Sequence, residues 1–210
     1  TAIQQYIKTI PFLPESVSAP TVESLQSCTE KSLMRDKLRD FDKSLIPKYT
    51  IIESFNISKQ NLSEIVSEMV FPMVVKPSGL YSSLLVTKCI DFESLFTILN
   101  NTLSIIGDIY EKEGGTGSPK VLIEEFIKGD MYSIDAYVKP NGEVVCLPPV
   151  RVITSHDVGL EGFYCYESIV PSNLESNEVV LANKAATSAV LAIGLRSCTA
   201  HIELYNTDNG

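Results

Sequence analysis

Apolar positions recur along the chain at two spacings, one helical and one strand-like. From Glu30 to Phe41 the chain is laced with charge, and Met34, Leu38 and Phe41 sit at helical intervals, which predicts a helix burying one stripe. Ser58 precedes Leu62, Ile65, Val66 and Met69, an i, i+3, i+4, i+7 pattern behind an N-cap residue. Asp91 stands in the same way before Phe92, Leu95, Phe96, Leu99, Leu103 and Ile106. Thr21 is placed to cap a short helix to Cys28. Residues 176–194 form an Ala-rich helix closed by Gly194. Strands are expected over 49–53, 71–77, 84–87, 121–127, 132–138, 143–154 and 199–205. In the last, Ala200, Ile202 and Leu204 alternate with His201, Glu203 and Tyr205. Residues 1–20 contain three prolines and little periodicity, and Pro11-Phe12-Leu13-Pro14 reads as an extended connector. Residues 113–119 read as a mobile loop and 156–166 as irregular. Neighbouring hairpins with helices between them predict an α+β fold with largely antiparallel sheets, divided into two lobes near residues 107–120.

Composition narrows the class. Apolar residues make up 44% and charged residues 20% of the 210, enough apolar material for a sizeable core. The formal charge of −9, with Lys and Arg scattered, argues against a nucleic-acid surface. No apolar run approaches the ~20 residues that span a bilayer. The five cysteines are widely spread without a CxxC pair, which fits reduced thiols and a cytoplasmic setting.

Four places carry candidate chemistry. Lys76 ends an apolar strand and meets a turn with Ser78, Gly79, Ser82 and Ser83, whose N–H groups and hydroxyls suit an anion such as a phosphate. A solvated lysine before a tight turn has the same sequence. Glu124 and Glu125 lie inside an apolar strand, where a carboxylate must be paired or face a site; a structural salt bridge would satisfy either. Glu203, between His201 and Tyr205, offers one carboxylate to Mg²⁺, which also needs phosphate oxygens. Arg151, within an apolar stretch, suits a carboxylate or phosphate, or a surface acid. There is no P-loop and no pairing of a nucleophile with a base.

Taken in order, these stretches resemble the ATP-grasp superfamily. Residues 28–38 are similar to its Asp-Lys segment, with Glu30 in the aspartate's place, and residues 71–83 to its second lysine strand and phosphate-covering loop. Residues 121–135 resemble its hinge strand and hairpin, and residues 200–210 its metal-binding strand and turn. The resemblance implies two α+β lobes clamping a nucleotide: residues 1–20 as the tail of a preceding domain, 21–110 as the N-terminal lobe and 111–210 as an incomplete C-terminal lobe. It implies that Lys31, Lys76, Ser82 and Ser83 hold the phosphates of ATP and that Glu124, Glu125, Phe126 and Ile127 line the adenine pocket. Asp130 would substitute for a ribose-binding glutamate, whose position carries Met131. Glu203 would hold Mg²⁺, and Arg151 would steady the transferred phosphoryl group as the catalytic residue. The implied reaction activates a carboxylate as an acyl-phosphate for attack by an amine, as in amino-acid or peptide ligases. The alternatives are a carboxylase or carbamoyl-phosphate-synthase-like enzyme, or a nucleotide-binding module without turnover. Expected partners are ATP, a small carboxylate and an amine, with a homodimer possible and neither nucleic acid nor membrane involved. The family's Glu-x-Asn-x-Arg segment is not in this sequence, so the chain reads as a piece of a longer enzyme.

Overall fold

Among the described residues nine strands form two sheets, and every pairing is antiparallel. The computed structural model describes residues 2–53 and 55–208, with side chains from Tyr6 onward; Asn209 and Gly210 of the expected terminal turn lie outside them. The first sheet has the order β1 (Tyr49–Ile52), β4 (Val121–Glu125), β2 (Met73–Pro77), β3 (Thr87–Cys89). In the second, β5 (Asp130–Val138) is central. It pairs with β9 (Cys198–Asn206) on one side, and with β6 (Val144–Cys146) and β7 (Val150–Thr154) on the other. The strand β8 (Cys165–Ile169) pairs with β7.

The helices start where the capping residues predict. Thr21 caps α2 (Val22–Thr29) and Ser58 caps α4 (Lys59–Ile65). Asp91 and Ser94 close a capping box on α5 (Phe92–Glu113). Helix α6 (Ser176–Ile193) ends at Gly194, whose φ of 78° suits glycine. The residues that α4 and α5 bury, Leu62, Leu95, Leu99 and Ile106, join Met73, Val75 and Ile123 in one core. That leaves Val74, Lys76 and Glu124 on the opposite face of the first sheet. Helix α6 covers one face of the second sheet, where Ala182 and Ala186 meet Ile134, Ile202 and Leu204. Helices α1 (Ala2–Thr9), α2 and α3 (Lys31–Asp42) belong to this side too: Ile7, Ile10, Leu25 and Met34 pack with Val138, Val190 and Ile193. No helix among the described residues is long and apolar enough to cross a membrane.

The structure departs from the sequence reading in five places. The stretch 1–20, read as having little periodicity, opens with a helix over Ala2–Thr9, and Ile10–Phe12 adds a 3-10 turn at the expected connector. The strand expected at 84–87 begins only at Thr87, because Ser82, Ser83 and Leu85 take left-handed conformations in a turn. The stretch 143–154 is two strands, split at Pro148-Pro149, which lack the N–H groups a ladder needs. A strand, β8, emerges at the end of the stretch read as irregular. Residue 110 falls inside α5, and β4 stays in the first sheet, so the passage between sheets is the segment 126–129.

Candidate functional site

The two sheets and the start of α3 enclose a cleft of about 800 Å³. Two cations meet one buried carboxylate on its wall, and a third stands on the same wall. Arg35 grips both oxygens of Glu124, Nε to Oε1 at 2.7 Å and Nη2 to Oε2 at 3.2 Å, while Lys76 Nζ lies 2.5 Å from Oε2. Lys31, at the first position of α3, donates to the Leu80 carbonyl. Helical spacing puts Arg35 one turn beyond Lys31 on the same face, a signal the sequence carried although no role was assigned to it. The side chain of Glu124 is 5% exposed, so the ion pairs are largely removed from water.

The charges shift one another. Burial opposes ionisation of Glu124, yet Lys76 and Arg35 hold its carboxyl below the ordinary value. Burial lowers the pKa of Lys76, against the pull of Glu124. Burial, followed by repulsion from Lys76, brings Lys31 down to about 8. The cluster faces the cleft with more positive than negative charge, an arrangement suited to a polyanion.

The glycine turn is fixed from behind. Gly79 N–H donates to Tyr110 Oη at 2.6 Å, and Thr116 N–H donates to the Gly79 carbonyl at 3.0 Å. A Cβ on Gly79 would sit 1.9 Å from the Thr116 carbonyl oxygen, so only glycine permits this approach. The loop read as mobile is thus bonded to the turn, and Thr116 Oγ1 also reaches the Thr29 carbonyl at 2.9 Å. Ser82 and Ser83 line the cleft, and Ser83 Oγ donates to the Phe163 carbonyl across it at 3.0 Å.

Of the residues singled out from sequence, Lys31, Lys76, Ser82, Ser83, Glu124, Phe126, Ile127 and Glu203 share this one cleft. Glu125 borders it, but its carboxylate accepts from Val70 N–H at 2.9 Å. The backbone N–H groups of Glu125 and Phe126 donate to the Lys48 and Pro72 carbonyls. Asp130 and Arg151 do not join. Met131 and Val152 are paired across β5 and β7 and line the cleft, so their neighbours Asp130 and Arg151 project to the other face, where they pair at 2.9 Å. Met34, Phe163 and Tyr205 complete the wall, residues the sequence offered only as apolar or aromatic positions. Among the described residues no group of three acidic, His or Cys side chains gathers to hold a metal. Glu203 is the carboxylate of the second sheet in the cleft, able to give one oxygen to a cation arriving with other ligands.

Residues 69–210 match the family described as an ATP-grasp domain. Over 127 residues, 59% of this chain and 28% of the relative, the chain is 29% identical to a phosphoribosylamine–glycine ligase of Listeria monocytogenes. Its fold is similar to that of the VanG D-Ala:D-Ser ligase from Enterococcus faecalis, with TM-score 0.72 and 18% identity over 92% of this chain and 53% of that one. It is also similar to a biotin carboxylase from Campylobacter jejuni, with TM-score 0.72 and 12% identity over 98% of this chain and 43% of that one. The chain therefore spans well under two thirds of the length of each.

Proposed function

The chain belongs to the ATP-grasp family, and from that premise we propose that its cleft binds ATP with Mg²⁺ as the nucleotide-holding part of a carboxylate–amine ligase. The observation that carries this reading is the gathering of Lys31, Arg35 and Lys76 at the wall of one cleft, where Glu124, paired with Arg35 and Lys76, offsets only part of their charge. Lys31 and Lys76 hold the phosphates, with Ser82 and Ser83 covering them. The hinge at Phe126 and Ile127 takes the base. Since the Glu125 and Phe126 N–H groups are already committed, the hinge carbonyls and the Ile127 N–H are what it offers. Glu203 contributes an oxygen to Mg²⁺, which neutralises phosphate charge when bound.

In the ligase a substrate carboxylate attacks the γ-phosphorus, the bond to the bridging oxygen breaks, and acyl-phosphate and ADP form. An amine then displaces phosphate from the acyl carbon. The residues here supply positioning and charge neutralisation rather than covalent chemistry. Arg151, paired with Asp130 outside the cleft, is left to the fold of β5 and β7. An amino acid as the activated acid is the first reading, supported by likeness to the D-Ala:D-Ser ligase. Bicarbonate is the second, supported by the same TM-score to the biotin carboxylase.

Thermal unfolding with and without MgATP tests the binding step. Saturation at 100 times Kd stabilises the folded state by about 2.7 kcal/mol. Lys76→Ala should weaken ATP at least about tenfold, the effect of losing one close charge contact, whereas Lys128→Ala in the turn should change it little. No shift at millimolar ATP, or equal losses in the two variants, would count against the site. ADP release that depends on bicarbonate rather than on an amino acid would select the second reading.

A further inference from the structure

We propose that Lys88 is a positioning residue that holds the base end of the cleft in shape, an inference that rests on the nucleotide reading above. Lys88 lies on β3, the edge strand of the first sheet. Its register partner Val74 lines the cleft, so Lys88 shares the sheet face of Lys76 and Glu124. Its ammonium nevertheless does not join their cluster. It sits 3.9 Å from the centroid of the Phe126 ring and 3.2 Å from His156 Nε2.

Those two rings are part of a group of three. Phe126 and His156 meet edge-on at 5.9 Å, His156 and Phe163 lie 5.0 Å apart, and Phe126 and Phe163 6.4 Å apart. The rings come from three separate segments: the passage between sheets, the turn after β7 and the loop before β8. Phe126 and Phe163 line the cleft, whereas Lys88 and His156 do not. Lys88 thus supports the aromatic wall from outside the cavity. A cation on a ring face is attracted by the ring quadrupole, and the attraction strengthens as water is excluded. The contact also crosses from one sheet to the other. Together with the Ser83 bond to Phe163, it ties the edge of the first sheet to the loop that closes the second. Phe126 belongs to the hinge, so its ring position and the hinge carbonyls that would meet a base are set together.

The test separates the base from the phosphates. Wild type, Lys88→Met and Lys88→Arg are titrated by calorimetry with MgATP and with inorganic tripolyphosphate, which has no base. Wild type should bind ATP more tightly than tripolyphosphate. Lys88→Met, which keeps the stem and loses the charge, should weaken ATP by roughly 3- to 30-fold and leave tripolyphosphate unchanged. Lys88→Arg should restore most of the ATP affinity. His156→Leu, which removes the support from the other side, should give the same selective loss and serves if Lys88→Met does not fold. Unchanged ATP affinity in both Lys88→Met and His156→Leu, or an equal loss for both ligands, overturns the proposal. Equal binding of ATP and tripolyphosphate by wild type also overturns it. Failure of wild type to bind either ligand overturns the nucleotide reading itself.

Discussion

Lys31 is taken out of water at the start of α3 and set beside Lys76, and these two effects, in that order, bring its pKa from 10.5 to about 8. A phosphate placed against it favours the charged form and raises that value again. ATP binding should therefore take up protons at pH 8.5–9 and none below pH 7, and affinity should fall as pH rises past about 8. Calorimetry in two buffers of different ionisation enthalpy reads the uptake directly; Lys31→Met should abolish it, and proton release would contradict the assignment. The free protein should show the opposite trend in stability. Between about 8 and 10.5 the unfolded chain binds the proton and the folded one does not, so Lys31 adds stability as pH rises through that window. Met131 makes a second residue-scale expectation. It presents a thioether to the cleft where a sugar would need an acceptor, and the Asp130 carboxylate is turned away to Arg151. ATP and dATP should bind within about threefold of each other, since one neutral hydrogen bond is worth only ~0.5–1.5 kcal/mol, and Met131→Glu should favour ATP. Lys76 and Glu124 were legible because a charge at or inside an apolar strand needs a reason, whereas Lys31 stood out only through the family resemblance. Asp130 and Arg151 stay outside the cleft because strand alternation gives it their neighbours Met131 and Val152 instead.

At the scale of elements, the glycine turn depends on groups that no local pattern joins to it. Tyr110, near the end of α5, accepts the Gly79 N–H inside the first core. Tyr110→Phe keeps the ring and strands that donor, so it should cost about 1–3 kcal/mol, measured by urea unfolding. If the turn must be held to receive phosphates, tripolyphosphate affinity should fall as well; a stability loss with unchanged anion binding would show that the turn holds its shape without Tyr110. The helices were legible from their caps and periods, since those signals lie within a dozen residues. Short strands were less so. The left-handed Ser82, Ser83 and Leu85 replace an expected strand, and β8, exposed along its whole length, has no burial to write an alternation into its sequence. The order of elements, more than any single one, made the fold recognisable.

At the scale of the molecule the described residues build two cores, joined through α3. One core lies under α4 and α5, the other under α6 with α1–α3. Helix α3 serves both: its flank packs on the second core, while its first residues bond the glycine turn, Lys31 N–H to the Ser78 carbonyl at 2.9 Å and Ser32 N–H to Ser78 Oγ at 3.0 Å. Its Arg35 then reaches β4 through Glu124. A nucleotide held by Lys76 from one sheet and Glu203 from the other would add a bridge that exists only when both are folded. Leu99→Ala, a cavity in the first core, should cost about 2–5 kcal/mol. In the free protein, hydrogen exchange should register that loss at the amides of Val75 and Ile123 and much less at Ile134 and Val138. With saturating MgATP the amides of both sheets should gain protection, and the Leu99→Ala loss should spread to the second, because opening either sheet would then release the ligand. Protection gained by one sheet alone would mean that the ligand sits on a single lobe and that the cleft is not its site.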